Sequence, residues 1–372
     1  MEYRKTVSGQ TDFCRRLSFR QMILFRRSIA CGLLLLWITN DLLAEDIVKL
    51  TPVEDKGPAM RKAGQIVEYT GQSLVLRTKT NRELTIPSHR VIEIQTTRGE
   101  LHRQADQRFA ERRITEALQL YRQAQPLEKR IWMRRELVAQ QIWCCRYLGQ
   151  FDRAADLFVA LFRSDPTTVF MDTIPLAWRS QQPPVDLEQR AVSWLLSASN
   201  KLANQDSLAD HQLAAALIAA SWLLPTSRQA ESIDMLRQLE EIKHDAIAHL
   251  ARAQSWRAQL VTATLPEVVD WQRISTSCPE SLRAGMYYLI GQGLARHQRY
   301  EQAAIYWMRV PIFFPQQVDL AVDCLMATGN ALEKRQQINE AINAYREITQ
   351  HYADHPLVGQ AQAKLESLSP TQ

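Results

Sequence analysis

The histidines are the first residues whose spacing could support chemistry. His351 and His355 are four residues apart, so on a helix they would share one face, as two ligands of a metal ion do. No third ligand is apparent near them, and Pro356 ends the segment. His244 and His249 are five apart and diverge around a helix, as surface residues commonly do. We therefore predict no metal site.

The sequence also lacks the motifs that mark hydrolytic or phosphate-binding sites. It contains no glycine-rich phosphate loop, no Gly-x-Ser-x-Gly and no His-Glu-x-x-His. Paired carboxylates such as Glu240 and Glu241 lie among Lys and Arg, as on a solvated helix face. We predict no catalytic residue, no cofactor and no enzyme activity. The alternative kept open is an accessory domain of a hydrolase, with an unrecognised site in residues 181–280.

Four cysteines, Cys144, Cys145, Cys278 and Cys324, lie beyond the first 44 residues. Their spacing fits no metal site. Cys144 and Cys145 are adjacent, so on a helix they point about 100° apart and cannot easily bond each other. Buried free thiols are the favoured interpretation, and disulfides among the four remain open.

Residues 1–44 have the layout of a secretory signal. Arginines precede an apolar run from Ile29 to Ile38, and Ala44 offers a small residue at a possible cleavage point. The run is about ten residues, whereas a membrane-spanning helix needs roughly 20. We predict a cleaved signal and an exported protein, periplasmic or extracellular. An uncleaved signal, which would give a membrane-anchored adaptor, remains open, as does Met22 as the true start.

The charge balance bears on possible partners. The chain has 45 basic and 40 acidic residues, and seven of the basic and three of the acidic ones lie in residues 1–44. Without that segment 38 basic and 37 acidic groups remain, so the formal net charge falls from +5 to +1. We predict no nucleic-acid partner, because such proteins carry a basic surface. A membrane would be a partner only if the signal stayed uncleaved.

Residues 45–98 show the alternation that is typical of short strands. The predicted strand segments are Ile66–Tyr69, Leu74–Arg77 and Glu83–Ile86, with Ile92 and Ile94 on a further strand. The run Ile86-Pro87-Ser88 before that strand resembles the end of a Src-homology-3-like (SH3-like) or Sm-like barrel, where a 3₁₀ turn precedes the last strand. The resemblance implies a small all-β, barrel-like module. We expect this module to mediate contacts or to cap the helical array.

From Leu101 to Leu368 the pattern is helical, and one unit recurs four times. An apolar residue is followed by alanine after three positions, an aromatic residue after four more, and an aliphatic residue or alanine after a further three. The copies are Ile114, Ala117, Tyr121 and Ala124; Phe151, Ala154, Phe158 and Leu161; Tyr300, Ala303, Trp307 and Val310; and Ile338, Ala341, Tyr345 and Ile348. Twelve positions before each alanine stand Ala105, Ile142, Gly291 and Gly329.

This layout resembles the tetratricopeptide (TPR) repeat, a pair of antiparallel helices with small residues where they cross. Ala117 and Ala154 lie 37 residues apart, and Ala303 and Ala341 lie 38 apart. The resemblance implies a mainly α fold, a TPR-like α-α superhelix of about 5–7 helical hairpins. We predict TPR-like repeats in residues 99–180 and 281–368, and degenerate helical repeats in 181–280.

The middle of the chain has helical segments without the motif. We predict helices over Leu187 to Leu202, Ala209 to Leu224 and Gln229 to Thr262. Pro183-Pro184 marks a break before them, and Pro225 and Pro266 are expected to end helices.

Stacked helical hairpins bury one face against their neighbours and expose an extended groove. The predicted partner-binding groove consists of Tyr288, Gln292, Arg296, Met326, Asn330 and Lys334. The sequence therefore predicts a non-enzymatic exported scaffold or adaptor of the cell envelope. Its partner would be a protein or peptide, or another copy of the chain.

Overall fold

The computed structural model of this chain describes residues 45–52 and 58–368. The chain separates into residues 1–43 and 44–372, and the described residues all belong to the second unit. The predicted signal lies outside the described residues. Within them the chain is mainly helical, with one small antiparallel sheet near its N-terminal end. This confirms the prediction of a mainly α fold with a small region of β structure before the helices.

Five antiparallel strands form the sheet. They are β1 (Asp46–Leu50), β2 (Met60–Tyr69), β3 (Ser73–Arg77), β4 (Glu83–Pro87) and β5 (Val91–Gln95). Their spatial order is β4-β3-β2-β1-β5, so β1 lies between β2 and β5. A 3₁₀ turn, Ser88–Arg90, joins β4 to β5 directly after Pro87. The predicted turn before the last strand is confirmed.

Fourteen α-helices come after the sheet in the described part of the chain. They are α1 (Glu100–Ala110), α2 (Ile114–Leu127), α3 (Ile131–Tyr147), α4 (Phe151–Ser164), α5 (Val185–Ala203), α6 (Asp210–Leu223), α7 (Gln229–Glu240), α8 (Asp245–Gln259), α9 (Leu265–Ser275), α10 (Ala284–Arg296), α11 (Tyr300–Phe313), α12 (Val318–Lys334), α13 (Ile338–His351) and α14 (Val358–Leu368). Most helices pack against the next helix in sequence, so the chain forms a series of helical hairpins. The main exception is α4, which packs more extensively on α6 than on α5.

The sheet has its own apolar core, which α3 completes. Leu74 and Leu76 of β3 are fully buried, and Trp132 and Met133 of α3 pack into the same cluster. Gly64 allows β2 to pass close to β3, because a β-carbon there would lie 2.5 Å from the carbonyl oxygen of Arg77. The core of the sheet is therefore closed by α3 and is separate from the main core of the helices.

The strand predictions are confirmed for β2, β3, β4 and β5, but two details differ. Strand β1 is absent from the sequence-based prediction, because Asp46–Leu50 is short and precedes a segment rich in Pro and Gly. Strict alternation along β5 would put Ile92 and Ile94 on one apolar face, but Ile92 is 40% exposed whereas Ile94 packs against the core of the sheet. The pairing of β5 with β1 shifts register between Lys49 and Leu50, and this irregularity turns Ile92 outward.

The recurring motif marks buried helix crossings. Its alanines and aromatic residues are all buried: Ala117, Ala154, Ala303, Ala341, Tyr121, Phe158, Trp307 and Tyr345. A β-carbon on Gly291 would overlap the ring of Trp307, and one on Gly329 would overlap the ring of Tyr345. Glycine at these positions lets the aromatic ring of the next helix lie against the backbone.

Two expectations for residues 181–280 are corrected. The segment Gln229 to Thr262 forms two helices, α7 and α8, because His244 caps α8: its Nδ1 accepts a hydrogen bond from the Ile247 N–H at 3.5 Å. Pro266 begins a helix rather than ending one. It stands in the first turn of α9, where its missing N–H costs nothing. The predicted helices α5 and α6 are confirmed, and Pro225 comes just after the end of α6.

Residues 165–184 break the helical pattern that was expected to continue through them. They contain Pro166, Pro175 and the pair Pro183-Pro184, which exclude a regular helix. Their only regular element is a 3₁₀ turn, Met171–Thr173. This connection is nonetheless buried, with Leu176 5% and Ala177 1% exposed. A loop of this length is normally found on the surface, so its burial needs an explanation.

Candidate functional site

Residues 171–182 of this connection are called the strap below; residues 173–177 are buried, and Ser180 and Gln182 are exposed. At its start, Arg146 of α3 donates to the carbonyl oxygens of Asp172 and Thr173, both at 3.3 Å. Gln317, at the start of α12, donates to the same Asp172 oxygen at 3.2 Å and accepts from Arg146 at 2.5 Å. The strap thereby bridges helices that lie about half the chain apart in sequence.

The middle of the strap is bound by α6. The indole Nε1 of Trp222 donates to the carbonyl oxygen of Pro175 at 2.7 Å. The Ser221 hydroxyl accepts from the Ala177 N–H at 3.0 Å and donates to the Ala177 carbonyl at 3.3 Å. These side chains contact main-chain atoms, and three of the four residues are almost inaccessible to solvent.

The far end of the strap contacts α8 and α12. Arg257 of α8 donates to the carbonyl oxygens of Ala177, at 2.9 Å, and Arg179, at 2.7 Å. The Arg179 side chain forms an ion pair with Asp323 of α12, with Nε 3.2 Å from Oδ2. Between these two contacts the Trp178 ring lies against Gly285 of α10, where a β-carbon would overlap it.

Five helices thus present one continuous surface to the strap, called the strap-binding face below. Its members are Arg146 on α3, Ser221 and Trp222 on α6, Arg257 on α8, Gly285 on α10 and Asp323 on α12. Most of its polar contacts go to main-chain carbonyl oxygens. Main-chain contacts do not depend on the identity of the bound side chains, so this face can bind an extended segment with little demand on its sequence.

The electrostatics of the face reflect its burial. Burial raises the pKa of Asp172 and of Asp323 to about 6, with Arg146 and Arg179 opposing the shift. Burial also lowers the pKa of Arg146 and of Arg257 to about 10. The face is therefore poorly hydrated, and hydrogen bonds within it are stronger than they would be in water.

A recess of about 520 Å³, including space open to solvent, adjoins the strap between α3 and the start of α12. Its walls include Trp143, Tyr147 and Trp178. The guanidinium of Arg146 stacks on the Trp143 ring, 4.4 Å from the ring centroid. The recess is the edge of the strap-binding face that solvent reaches.

The predicted groove residues of α10 begin next to the strap. Burial raises the pKa of Tyr288 to about 12, with the charge of nearby Asp323 as a second cause, and Gln292 is hydrogen-bonded to it. Tyr288 and Gln292 therefore adjoin the ion pair that ends the strap. Further along α10, Arg296 is exposed and donates to the carbonyl oxygen of Val261 at 2.7 Å.

The predicted groove residues of α12 show the same gradient. Met326 is half-buried and packs against the main core. Asn330 is exposed and accepts a hydrogen bond from the Tyr345 hydroxyl at 3.0 Å. Lys334 is exposed, with its ammonium 5.0 Å from the centroid of the Tyr300 ring. Arg296, Asn330 and Lys334, called the open stripe below, are left uncovered; their role in binding a partner stays a prediction.

The other residues singled out in the sequence have structural contacts. His351 ends α13 and His355 lies in the following turn, so the two histidines do not lie on one helix. His355 Nε2 lies 3.3 Å from Asp319 Oδ1, and His244 Nε2 lies 2.9 Å from the Pro166 carbonyl oxygen. Within residues 45–52 and 58–368, no three His, Cys, Asp or Glu side chains are grouped as metal ligands would be.

The four cysteines in the described part of the chain are buried and unbonded to one another. Burial raises the pKa of Cys144 and of Cys278 to about 12. A thiol in such surroundings stays protonated at neutral pH, and the thiolate is the reactive form. These cysteines therefore serve as packing residues.

A second recess, of about 540 Å³, is lined partly by residues of 181–280, where a hydrolase site was kept open as an alternative. It includes Trp194, Ser197 and His211. Burial lowers the pKa of His211. Among the described residues no hydrogen bond joins Ser197 to His211, and a nucleophile and its base need that geometry.

The strap and its partners are missing from the sequence-based prediction. The signal for them is present in the sequence: an apolar run with Trp178 lies between proline clusters, too short for a helix and too apolar for an exposed loop. Arg146, Arg257 and Asp323 give no such signal, because charged residues at these spacings also occur on solvated helix faces.

Among residues 45–52 and 58–368, no helix is both long enough and apolar enough to cross a membrane. No protein-family model and no curated protein matches this chain.

Proposed function

We propose that this protein is a non-enzymatic, exported scaffold or adaptor that binds an extended segment of a partner protein along its helical repeats. The repeats would form a TPR-like superhelix, with degenerate units in residues 181–280. The small sheet would be an SH3-like module that adds a contact or caps the array.

Two kinds of observation support the architecture in this proposal. The helices form hairpins between neighbours in sequence, and the recurring alanines and aromatic residues are buried at their crossings. The small antiparallel sheet has a 3₁₀ turn, Ser88–Arg90, directly before its last strand. Both features are those that the resemblances imply.

The strap-binding face is the main support for the proposed function. Five helices contribute to it, and side chains of Arg, Trp and Ser bind the main-chain atoms of one irregular segment. A surface that binds the strap in this way is suited to an extended chain. The open stripe continues the same surface on α10 and α12.

The charges of the open stripe favour an acidic partner segment. Arg296 and Lys334 are exposed, and neither forms an ion pair within the described residues. They point to a carboxylate-bearing segment, because exposed cations attract acidic chains and speed their association. Asn330, one turn before Lys334, adds an exposed amide whose N–H groups can donate hydrogen bonds.

Charge reversal tests this proposal. The double variant Arg296→Glu/Lys334→Glu is compared with the wild type for capture of proteins from envelope extract, with quantification by mass spectrometry. A matched control, Arg237→Glu/Arg273→Glu, reverses two exposed arginines on other helices. We expect loss of a specific partner for the first variant alone. Equal capture by all three proteins would reject the open stripe as a binding site.

Export has its own test. The sheet begins at Asp46, two residues after the predicted cleavage point at Ala44. N-terminal sequencing of the protein purified from its native cells should give a start at or near Glu45. An intact N-terminus in a membrane fraction would instead indicate the membrane-anchored alternative.

A further inference from the structure

We infer that the strap is a built-in occupant of the partner-binding surface, and that a partner segment of strap-like chemistry competes with it for this surface. This inference rests on the proposed function and adds the nature of the competing partner. Strap-like means an irregular, largely apolar segment with a proline, followed by an aromatic residue and an arginine.

Position is the first argument. On α10 the predicted groove runs through Tyr288, Gln292 and Arg296, and Gly285, which receives the Trp178 ring, precedes Tyr288 by three residues. Residues three and four apart lie on the same helix face. The strap therefore occupies the beginning of the stripe whose end is open.

Helix α12 shows the same arrangement. Asp323, which pairs with Arg179 of the strap, precedes Met326 by three residues, and Asn330 and Lys334 come after it at intervals of four. On both helices, the residues toward the N-terminal end of this stripe contact the strap and form the occupied half of the face. The residues toward the C-terminal end are uncovered and form its open half. The chain itself shows what kind of segment fits the occupied half.

The chemistry of the occupied half defines the competing segment. Gly285 forms a flat cradle for an aromatic ring, because any side chain there would overlap the ring. Asp323 lies beside the cradle and takes a guanidinium. Trp222 donates a hydrogen bond to the carbonyl oxygen of Pro175. Proline has no backbone N–H, so burying Pro175 leaves no main-chain donor without a partner.

The covalent connection of the strap to its neighbouring helices limits how readily a free segment can replace it. The strap is joined to α4 and α5, so it competes with any free segment at an effective concentration of roughly millimolar order. A free segment of equal intrinsic affinity therefore binds the wild-type protein weakly. Weakening the strap raises the fraction of molecules whose surface is available, and the apparent affinity rises in proportion.

The test uses the full chain and a fluorescent peptide with the sequence of residues 171–182, followed by anisotropy. Trp178→Ala leaves the cradle on Gly285 empty while the helices stay unchanged. We expect this variant to bind the peptide about tenfold or more tightly than the wild type does. A peptide carrying Ala and Glu in place of its Trp and Arg should show no such gain.

The double variant Trp178→Ala/Gly285→Ala is the matched control, because its new methyl group fills the cradle. This double variant should bind the peptide no more tightly than the wild type does. Circular dichroism establishes that each variant is folded. If Trp178→Ala does not fold, Arg179→Ala, which removes only the ion pair with Asp323, takes its place with a smaller expected gain.

Two results would overturn the inference: a folded strap variant that binds the peptide no better than the wild type, or a double variant that binds as well as Trp178→Ala. After either result the proposed function would still stand if charge reversal of the open stripe abolished partner capture. In that case the strap would be a structural brace, and only the open stripe would bind partners.

Discussion

Replacing Gly285 by alanine is the sharpest probe of the strap. Gly285 is the second residue of α10, and its α-carbon faces the Trp178 ring so closely that a β-carbon would overlap three ring atoms. Either the ring or the helix must move. The indole is only half-buried, whereas α10 is fixed by core residues on its other side, so the ring is expected to move.

The change in the free energy of unfolding caused by Gly285→Ala is the sum of two opposing effects. Overpacking of a filled site costs about 1–3 kcal/mol. Alanine is favoured over glycine within a helix by about 1 kcal/mol at most. Gly359 separates the two effects, because it is the second residue of α14 and a β-carbon there meets nothing within 4 Å. The difference between Gly285→Ala and Gly359→Ala therefore isolates the crowding at Trp178.

Urea unfolding of both variants and the wild type, followed by circular dichroism, measures this difference. We expect Gly359→Ala to be neutral or slightly stabilising, and Gly285→Ala to be less stable than Gly359→Ala by about 1–3 kcal/mol. Trypsin cleavage after Arg179 gives a local measure, because displacement of the strap exposes that bond. Equal unfolding midpoints together with equal cleavage rates would refute the assigned contact.

Two further predictions concern titration. Burial raises the pKa of Asp323 to about 6, so the folded protein binds this proton more tightly than the unfolded chain, and its contribution to stability falls as pH rises from about 4 to about 6. Urea midpoints should therefore fall less over that range for Asp323→Asn than for the wild type or the exposed control Asp354→Asn. In a chain lacking residues 1–44, a thiol reagent should modify Cys144 and Cys278 only as fast as the protein unfolds; rapid labelling in native buffer would contradict their burial.

The parts of the fold that the sequence predicts are those in which local pattern and packing agree. Ala303 and Trp307 are identified by spacing, and they are buried because that spacing puts both on the face that meets the next helix. Pro87 predicts a 3₁₀ turn because its fixed φ suits that turn and no ladder hydrogen bond is lost. Local rules are sufficient at these positions.

The predictions fail where distant residues decide the structure. The helix boundary at His244 is hard to recognise in the sequence, because the ring that caps α8 is also held by the Pro166 carbonyl oxygen 78 residues away. Strand β1 depends on β2 and β5 on either side. Helical spacing alone is enough to select the residues of the open stripe. The residues that contact the strap on the same helix face cannot be selected in this way, because their role depends on where the strap lies.

The strap also changes how the helical hairpins are expected to hold together. In a simple repeat array each unit contacts only its neighbours, so stability is close to a sum of local terms and the ends can open independently. Here Arg146 of α3 reaches Gln317 at the start of α12 through a hydrogen bond of 2.5 Å, and both contact Asp172 of the strap. Contacts between helices so far apart in sequence couple the first helices to the last. A partner that displaced the strap would therefore also loosen the link between the first and the last helices, so partner binding and the cooperativity of unfolding would change together.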